Sequence, residues 1–436
     1  MNTSQTTLGV KPLLAILAGV YTIQSLIGMF TLQGLPAVLR SEGISTSQIG
    51  FFYLAMLPWA FKFLWAPYIE ARRKRNGFTS HGRLIGLAQL AILLILAGLA
   101  LSSAITQPTL LFAGVFSLAL LSTVADISTD GLAVDQLPKR SRHLGNTMQV
   151  GGAYIGALFG GGLFIYLMGA YQWQTALFVL MALIVLMTLP TGILLKKNLS
   201  SAEISSEHRP SLRRAWNSPS VRFGLLMVVL CQIGTRGVQS MLMPYLIDQG
   251  LQLTDLGLLA AGGGAITGLF GVLVSAVLMK RLSPRTMLLA CLGLEAVIFS
   301  GFYLDTLALF SGTIGLQILF VLSSVIAAAK FVALYTLMMG WAYGTQAGVD
   351  FTLFQSTDMA VAIVMALISG SIIATLGYSV HYAIAIIASV TAFGLGLLRI
   401  SIPRSSPNPT SFNSVSPIAS GGRIYPLKSV APIGVA

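Results

Sequence analysis

Apolar residues in this chain come in runs of about twenty, separated by short polar gaps. Twelve runs can be drawn, at 12–39, 50–69, 84–105, 110–136, 145–169, 175–195, 223–247, 257–279, 286–303, 308–338, 352–377 and 379–400. Each is near the ~20 residues that a helix needs to cross a bilayer. Hydrocarbon offers the backbone no partners, so helices that satisfy their own hydrogen bonds are the expected elements. The tenth run is long enough to cross at a tilt. The alternation that would mark an outer-membrane barrel is absent. The pattern predicts an all-α polytopic membrane protein with twelve transmembrane helices.

The runs also repeat. Leu35-Pro36 leads through Gly43 to Ile49-Gly50, and Met243-Pro244 leads through Gly250 to Leu256-Gly257, an offset of 207 or 208. Gln149 and Gln355 lie 206 apart. Six runs precede the polar stretch 196–222 and six follow it. The expected organisation is a six-helix half at 1–195, a cytoplasmic loop at 196–222 and a second half at 223–402. The remainder, 403–436, is rich in Pro and Ser and reads as a disordered cytoplasmic tail. Parallel six-helix halves with a site between them are a secondary-transporter architecture, the major facilitator fold. The glycines at spacing four (Gly152, Gly156 and Gly160, then Gly264 and Gly268) read as packing surfaces.

Composition agrees. Hydrophobic residues make up 55% and charged residues 9%, where a soluble chain carries about 25% charged residues. The net charge of +13 reflects topology, because no basic stripe with interleaved aromatics suggests a nucleic-acid partner. Of the 26 Lys and Arg, 22 fall on one side of the runs: at Lys11, 72–83, 139–142, 196–222, 280–285 and 399–428. The opposite gaps hold only Arg40. The positive-inside rule therefore places both termini and the central loop in the cytoplasm. The first run reads as a retained helix and not a signal peptide. Cys231 and Cys291 lie inside runs with no disulfide or metal-ligand spacing. With no phosphate-cradling loop, neither ATP nor any cofactor is expected.

Apart from Asp135 and Arg399 at run ends, seven charges lie within the runs: Lys62, Asp126, Asp130, Arg236, Glu295, Lys330 and Asp358. An ion there usually has a job or a partner. Asp126 and Asp130 are four apart and share a helix face. Two carboxylates in low dielectric resist double ionisation, which makes the pair a candidate proton-coupling element. The alternative is a structural salt bridge to Lys62 or Arg236. Arg236 and Lys330 are candidate ligands for an anionic substrate, and the alternative for Arg236 is an ion pair with Asp126 or Asp358. Gln24, Gln33, Gln149 and Gln355 add neutral hydrogen-bonding groups that suit a cavity or simple helix–helix contacts. Phe61-Lys62-Phe63-Leu64-Trp65-Ala66-Pro67 runs into Glu70, Arg72 and Arg73. Pro67 predicts a break in the second helix. Lys62, Glu70, Arg72, Arg73 and Asp358 are candidate gating residues.

The Phe61–Pro67 stretch and the Asp126…Asp130…Asp135 stretch resemble the branch of the major facilitator superfamily that contains the AmpG muropeptide permeases. Within that branch the chain is most similar to the RhtX/FptX siderophore permeases. The resemblance spans about 12–400. It implies a single-component, monomeric, non-enzymatic secondary transporter, with proton-driven import of a ferric siderophore as the first expectation. Muropeptide import, or export of a drug or siderophore, is the alternative. It also implies that the first, fourth, seventh and tenth helices line the cavity, which puts Gln24, Gln33, Asp126, Asp130, Arg236 and Lys330 there. Glu295, on the ninth helix, departs from that pattern.

Overall fold

A computed structural model describes residues 9–66, 68–69, 79–102, 104–137, 142–192, 212–309, 312–342 and 347–399. Among these residues all regular structure is helical. The crossings are α1 (Val10–Ser41), α2 (Thr46–Ala66), α3 (Gly82–Leu101), α4 (Pro108–Ala133), α5 (Thr147–Ala170), α6 (Trp173–Thr191), α7 (Pro219–Asp248), α8 (Leu253–Leu278), α9 (Pro284–Thr306) and α10 (Thr313–Trp341). The last element, Ala347–Arg399, runs 53 residues. At ~1.5 Å per residue it would reach about 80 Å, far beyond the ~30 Å hydrocarbon core. Gly377 breaks it with φ 81° and ψ 174°, which gives α11 (347–376) and α12 (378–399). Twelve crossings result, as the runs predict. Residues 67 and 70–78, most of the central loop and the tail from 400 onward lie outside the described residues. Glu70, Arg72 and Arg73 lie there too, as does Pro67.

Local chemistry sets the helix ends. Pro108, Pro219 and Pro284 each occupy a first turn, where a missing N–H costs nothing. Ser45 and Gln48 form a capping box at α2, which satisfies two otherwise orphaned donors. Gly43 and Gly250, the matched glycines of the two repeats, follow α1 and α7 with φ of 81° and 88°. That left-handed geometry suits glycine and ends a helix cleanly. The break in α2 falls at Phe61 (φ −107°, ψ 10°), directly before Lys62 and ahead of the position that Pro67 suggested.

Three helices widen into π-helical turns, at Phe30–Gly34 in α1, Ala157–Leu163 in α5 and Leu259–Ile266 in α8. The turn in α5 packs against both of the others. Such turns re-aim side chains and are common at functional sites. The glycine stripe of α5 lies on α1. A Cβ at Gly160 would meet the Leu26 carbonyl oxygen at 2.0 Å, so only glycine permits this approach. Phe30 and Phe164 pack edge to face beside it, 4.8 Å between centroids.

The first six helices meet the last six along three seams. In the α2–α11 seam the Thr46 hydroxyl donates to the Gly370 carbonyl at 3.0 Å. In the α5–α8 seam a Cβ at Gly257 would lie 2.3 Å from the Tyr166 nitrogen. In the α1–α7 seam Arg40 meets Asp248. All three lie toward the face opposite the basic loops. Toward their basic-loop ends, α5 (Arg142–Gly156) and α8 (Thr267–Leu278) meet among the described residues through a side chain, the Tyr154 ring against Gly268, and not through close backbone approach.

Candidate functional site

Six of the seven intramembrane charges form three pairs. Lys62 Nζ donates to Asp126 Oδ2 at 3.0 Å and lies 5.3 Å from the centroid of the Trp59 ring. Arg236 forks onto Asp358, with Nε to Oδ1 at 2.9 Å and Nη2 to Oδ2 at 2.5 Å. Gln232 Nε2 adds a third bond to Asp358, at 2.8 Å. Lys330 Nζ donates to Glu295 Oε2 at 2.8 Å. The geometry thus selects Lys62 for Asp126 and Asp358 for Arg236 from the partners that the sequence left open. It also accounts for Glu295. From α9 its carboxylate reaches Lys330 on α10 and the hydroxyl of Thr235 on α7.

Such pairing is what low dielectric demands. A buried charge that loses its partner costs about 3–5 kcal/mol, whereas a pair replaced whole costs little. Lys330 and Glu295 are the extreme case, at 1% and 2% exposure. The ammonium has three protons and three acceptors: the Cys231 carbonyl at 3.0 Å, Glu295 Oε2 and the Thr235 hydroxyl oxygen. Its donors are saturated.

Asp130, the seventh charge, has a different environment. It accepts from the Tyr21 hydroxyl at 2.7 Å and has no cation partner among the described residues. Asp126 and Asp130 share a helix face as the spacing predicts, but Lys62 bonds directly only to the first.

A cavity of about 70 Å³ lies between α1, α7, α9 and α10. Its polar wall is Gln33, Thr235, Gln239, Glu295, Ser323 and Ser324. Gln33 sits in the π-helical turn of α1. Arg236 reaches the wall only through Gln239, whose Oε1 accepts from Nη1 at 3.2 Å. Lys330 reaches it only through Thr235 and Glu295. Of the residues expected to line a cavity, Gln24, Gln149 and Gln355 do not line this one. Gln24 is buried in α1, and its Nε2 has no partner among the described residues. Gln149 is exposed on α5 and Gln355 half-buried on α11. Thr235, Gln239, Ser323 and Ser324 were not legible as site residues, since hydroxyls and amides are ordinary in membrane helices and only their convergence distinguishes them.

A second polar cluster closes the face opposite the basic loops. Arg40 Nε donates to Asp248 Oδ1 at 2.6 Å, and the Tyr378 hydroxyl donates to Asp248 Oδ2 at 2.7 Å. The Tyr245 hydroxyl donates to Asp305, and the Ser379 hydroxyl to Thr306 at 2.8 Å. The ends of α1, α7, α9 and α12 are thereby tied together at one level. Tyr53, in α2, donates to the carbonyls of Leu32 at 2.8 Å and Ser240 at 3.2 Å, bridging α1 and α7 deeper in.

The chain and its fold have counterparts among known proteins. The model of the Major Facilitator Superfamily matches residues 14–304. The chain is 25% identical over 403 residues to the anhydromuropeptide permease of Escherichia coli strain K12, covering 87% of this chain and 79% of that one. Its fold is similar to that of the nucleoside transporter NupG, with a TM-score of 0.63 and 13% identity over 90% of this chain and 99% of the other. It is also similar to a bacterial homolog of the human lysosomal transporter Spinster in an inward-facing, occupied conformation, with a TM-score of 0.64 and 14% identity over 88% and 95% of the two chains. The chain belongs to the Major Facilitator Superfamily and is a multi-pass secondary transporter of that type.

Proposed function

We propose that the chain is a proton-driven importer of the bacterial inner membrane whose solute is a cell-wall sugar–peptide of the anhydromuropeptide class. The observation that carries this reading is the match to the Escherichia coli permease over 87% of the chain. The siderophore expectation finds no support in these relatives. Its intended anion ligand, Arg236, already holds Asp358 in a two-bond fork. A fork so occupied offers little to a second carboxylate.

The basic loops face the cytoplasm in this reading, which makes the three tight seams the periplasmic closure and the cavity a site opening inward. The two six-helix halves, 1–195 and 223–402, move against each other along those seams. Asp130 is the proton-carrying member of the Asp126/Asp130 pair, because Asp126 is already neutralised by Lys62. Its Tyr21 partner supports this role, since a hydroxyl can stay bonded to a carboxyl in either protonation state. Lys62–Asp126 and Arg236–Asp358 hold the helices that the proton-carrying step has to move.

The test is uptake of radiolabelled anhydromuropeptide by Escherichia coli that lacks its own permease and expresses this chain, with and without a protonophore. Accumulation abolished by the protonophore is expected. Absence of uptake from well-expressed protein would sink the solute assignment, and protonophore-resistant accumulation would sink the proton drive.

A further inference from the structure

From the hydrogen-bond inventory of the cavity wall we infer that the closed end of the cavity takes a hydrogen-bond-donating group of the solute, a hydroxyl or an ammonium, with Glu295 as its acceptor, and rejects anions. This deepens the proposed transport reading and rests on the cavity being the transport site.

The two intramembrane cations beside the cavity are not available to a ligand. Arg236 is forked by Asp358 and Lys330 has spent its three protons. The wall is left rich in acceptors. Thr235 has one hydroxyl proton for the two Glu295 oxygens that it faces, at 3.1 and 3.0 Å, and Lys330 binds only Oε2. A carboxylate offers about four lone-pair sites, so Glu295, which lines the cavity, keeps accepting capacity. Ser323 and Ser324 both donate to the Phe320 carbonyl, at 2.8 and 3.0 Å. Both residues line the cavity, and with their protons used their oxygens can only accept. Gln239 has its carbonyl occupied by Arg236 and retains its amide protons, and Gln33 adds a second amide that can donate or accept. A solute group that brought only lone pairs could use the two amides but would leave Glu295, Ser323 and Ser324 unmatched, and an anion would meet the Glu295 carboxylate on the wall while its Lys330 counter-ion does not line the cavity. With about 70 Å³ of space, room for a few water-sized groups, the pocket reads one terminal group and not the whole solute. Lys330 acts as a positioning residue. It fixes the Glu295 rotamer and keeps the carboxylate affordable in the membrane.

The test places a thiol in the wall of the full-length protein, Ser323→Cys, in membranes. It measures modification by aminoethyl, hydroxyethyl and sulfonatoethyl methanethiosulfonate, each rate divided by that reagent's rate on a free thiol. Cys231 and Cys291 are buried, and the chain without Ser323→Cys gives the background. We expect the aminoethyl and hydroxyethyl reagents to exceed the sulfonate about tenfold. Glu295→Gln is expected to remove the advantage of the aminoethyl over the hydroxyethyl reagent. Glu295→Gln/Lys330→Met, which removes the pair whole, serves where the single variant fails to fold, and the same loss is expected. A normalised sulfonate rate equal to the hydroxyethyl rate overturns the inference. An aminoethyl advantage that survives both variants overturns the role of Glu295. Whichever donor reagent is faster identifies the group as ammonium or hydroxyl. Donor preference without anhydromuropeptide uptake refutes the proposed solute alone, and uptake without donor preference refutes this inference alone.

Discussion

Arg40 and Asp248 stand 208 residues apart in the chain and 2.6 Å apart in space. That separation is the offset of the internal repeat, so the two residues occupy equivalent positions at the ends of α1 and α7. A residue and its repeat equivalent can touch only near the axis that relates the repeats. The pair therefore marks that axis on the face opposite the basic loops, one position carrying a cation and its counterpart an anion. Tyr378 ties the anion to the start of α12.

The first prediction concerns this clasp. Arg40→Ala or Asp248→Asn should loosen the seams and raise a few-fold the labelling rate of a cysteine at Ala261, which packs on Gly162 in the α5–α8 seam. That matches the 0.2–1 kcal/mol typical of partly exposed pairs. The swap Arg40→Asp/Asp248→Arg should bring the rate back. A swap as reactive as the single variants would show that the contact does not hold the closed state.

The Lys62–Asp126 pair should behave as a coupled unit in thermal unfolding. Lys62→Met leaves a carboxylate stranded at 4% side-chain exposure, a loss of about 3–5 kcal/mol. Lys62→Met/Asp126→Leu should recover most of it. If the double variant unfolds as early as the single, the pair is not what stabilises α2 against α4.

Asp130→Asn should separate movement from coupling. We expect solute exchange across proteoliposomes to persist, while accumulation driven by an imposed pH gradient disappears. Gradient-driven accumulation at the parent level would exclude Asp130 as the proton carrier.

Seam glycines should be intolerant in proportion to what faces them. Gly257→Ala puts a Cβ 2.3 Å from the Tyr166 nitrogen, whereas a Cβ at Gly262 meets nothing within 4 Å. Transport and closed-state labelling protection should fall in Gly257→Ala and stay near the parent level in Gly262→Ala. Equal behaviour of the two variants would contradict the α5–α8 seam as the closing contact.

Much of the architecture is legible in the sequence because the bilayer imposes it. Apolar runs of membrane length, the repeat, and cations confined to alternate gaps fix the number of crossings and the expected orientation without any tertiary information. Even Gly43 and Gly250 could be matched before their shared left-handed conformation was visible. The seven intramembrane charges could likewise be singled out, since each departs from what hydrocarbon tolerates.

What the sequence could not decide is which charge meets which. Asp126 had two candidate cations and Arg236 two candidate anions, and the choice depends on how helices distant in the chain rotate against one another. Glu295 looked misplaced on a ninth helix until its side chain was seen passing between α7 and α10 to Lys330. The cavity wall was less legible still, because Thr235, Gln239, Ser323 and Ser324 are unremarkable alone. The break at Phe61 fell three residues after Pro58, not at Pro67. Hydropathy is a property of each segment and survives in the sequence. Pairing, seams and a convergent set of lone pairs are properties of helices in contact, and they exist only once the packing has chosen their rotations.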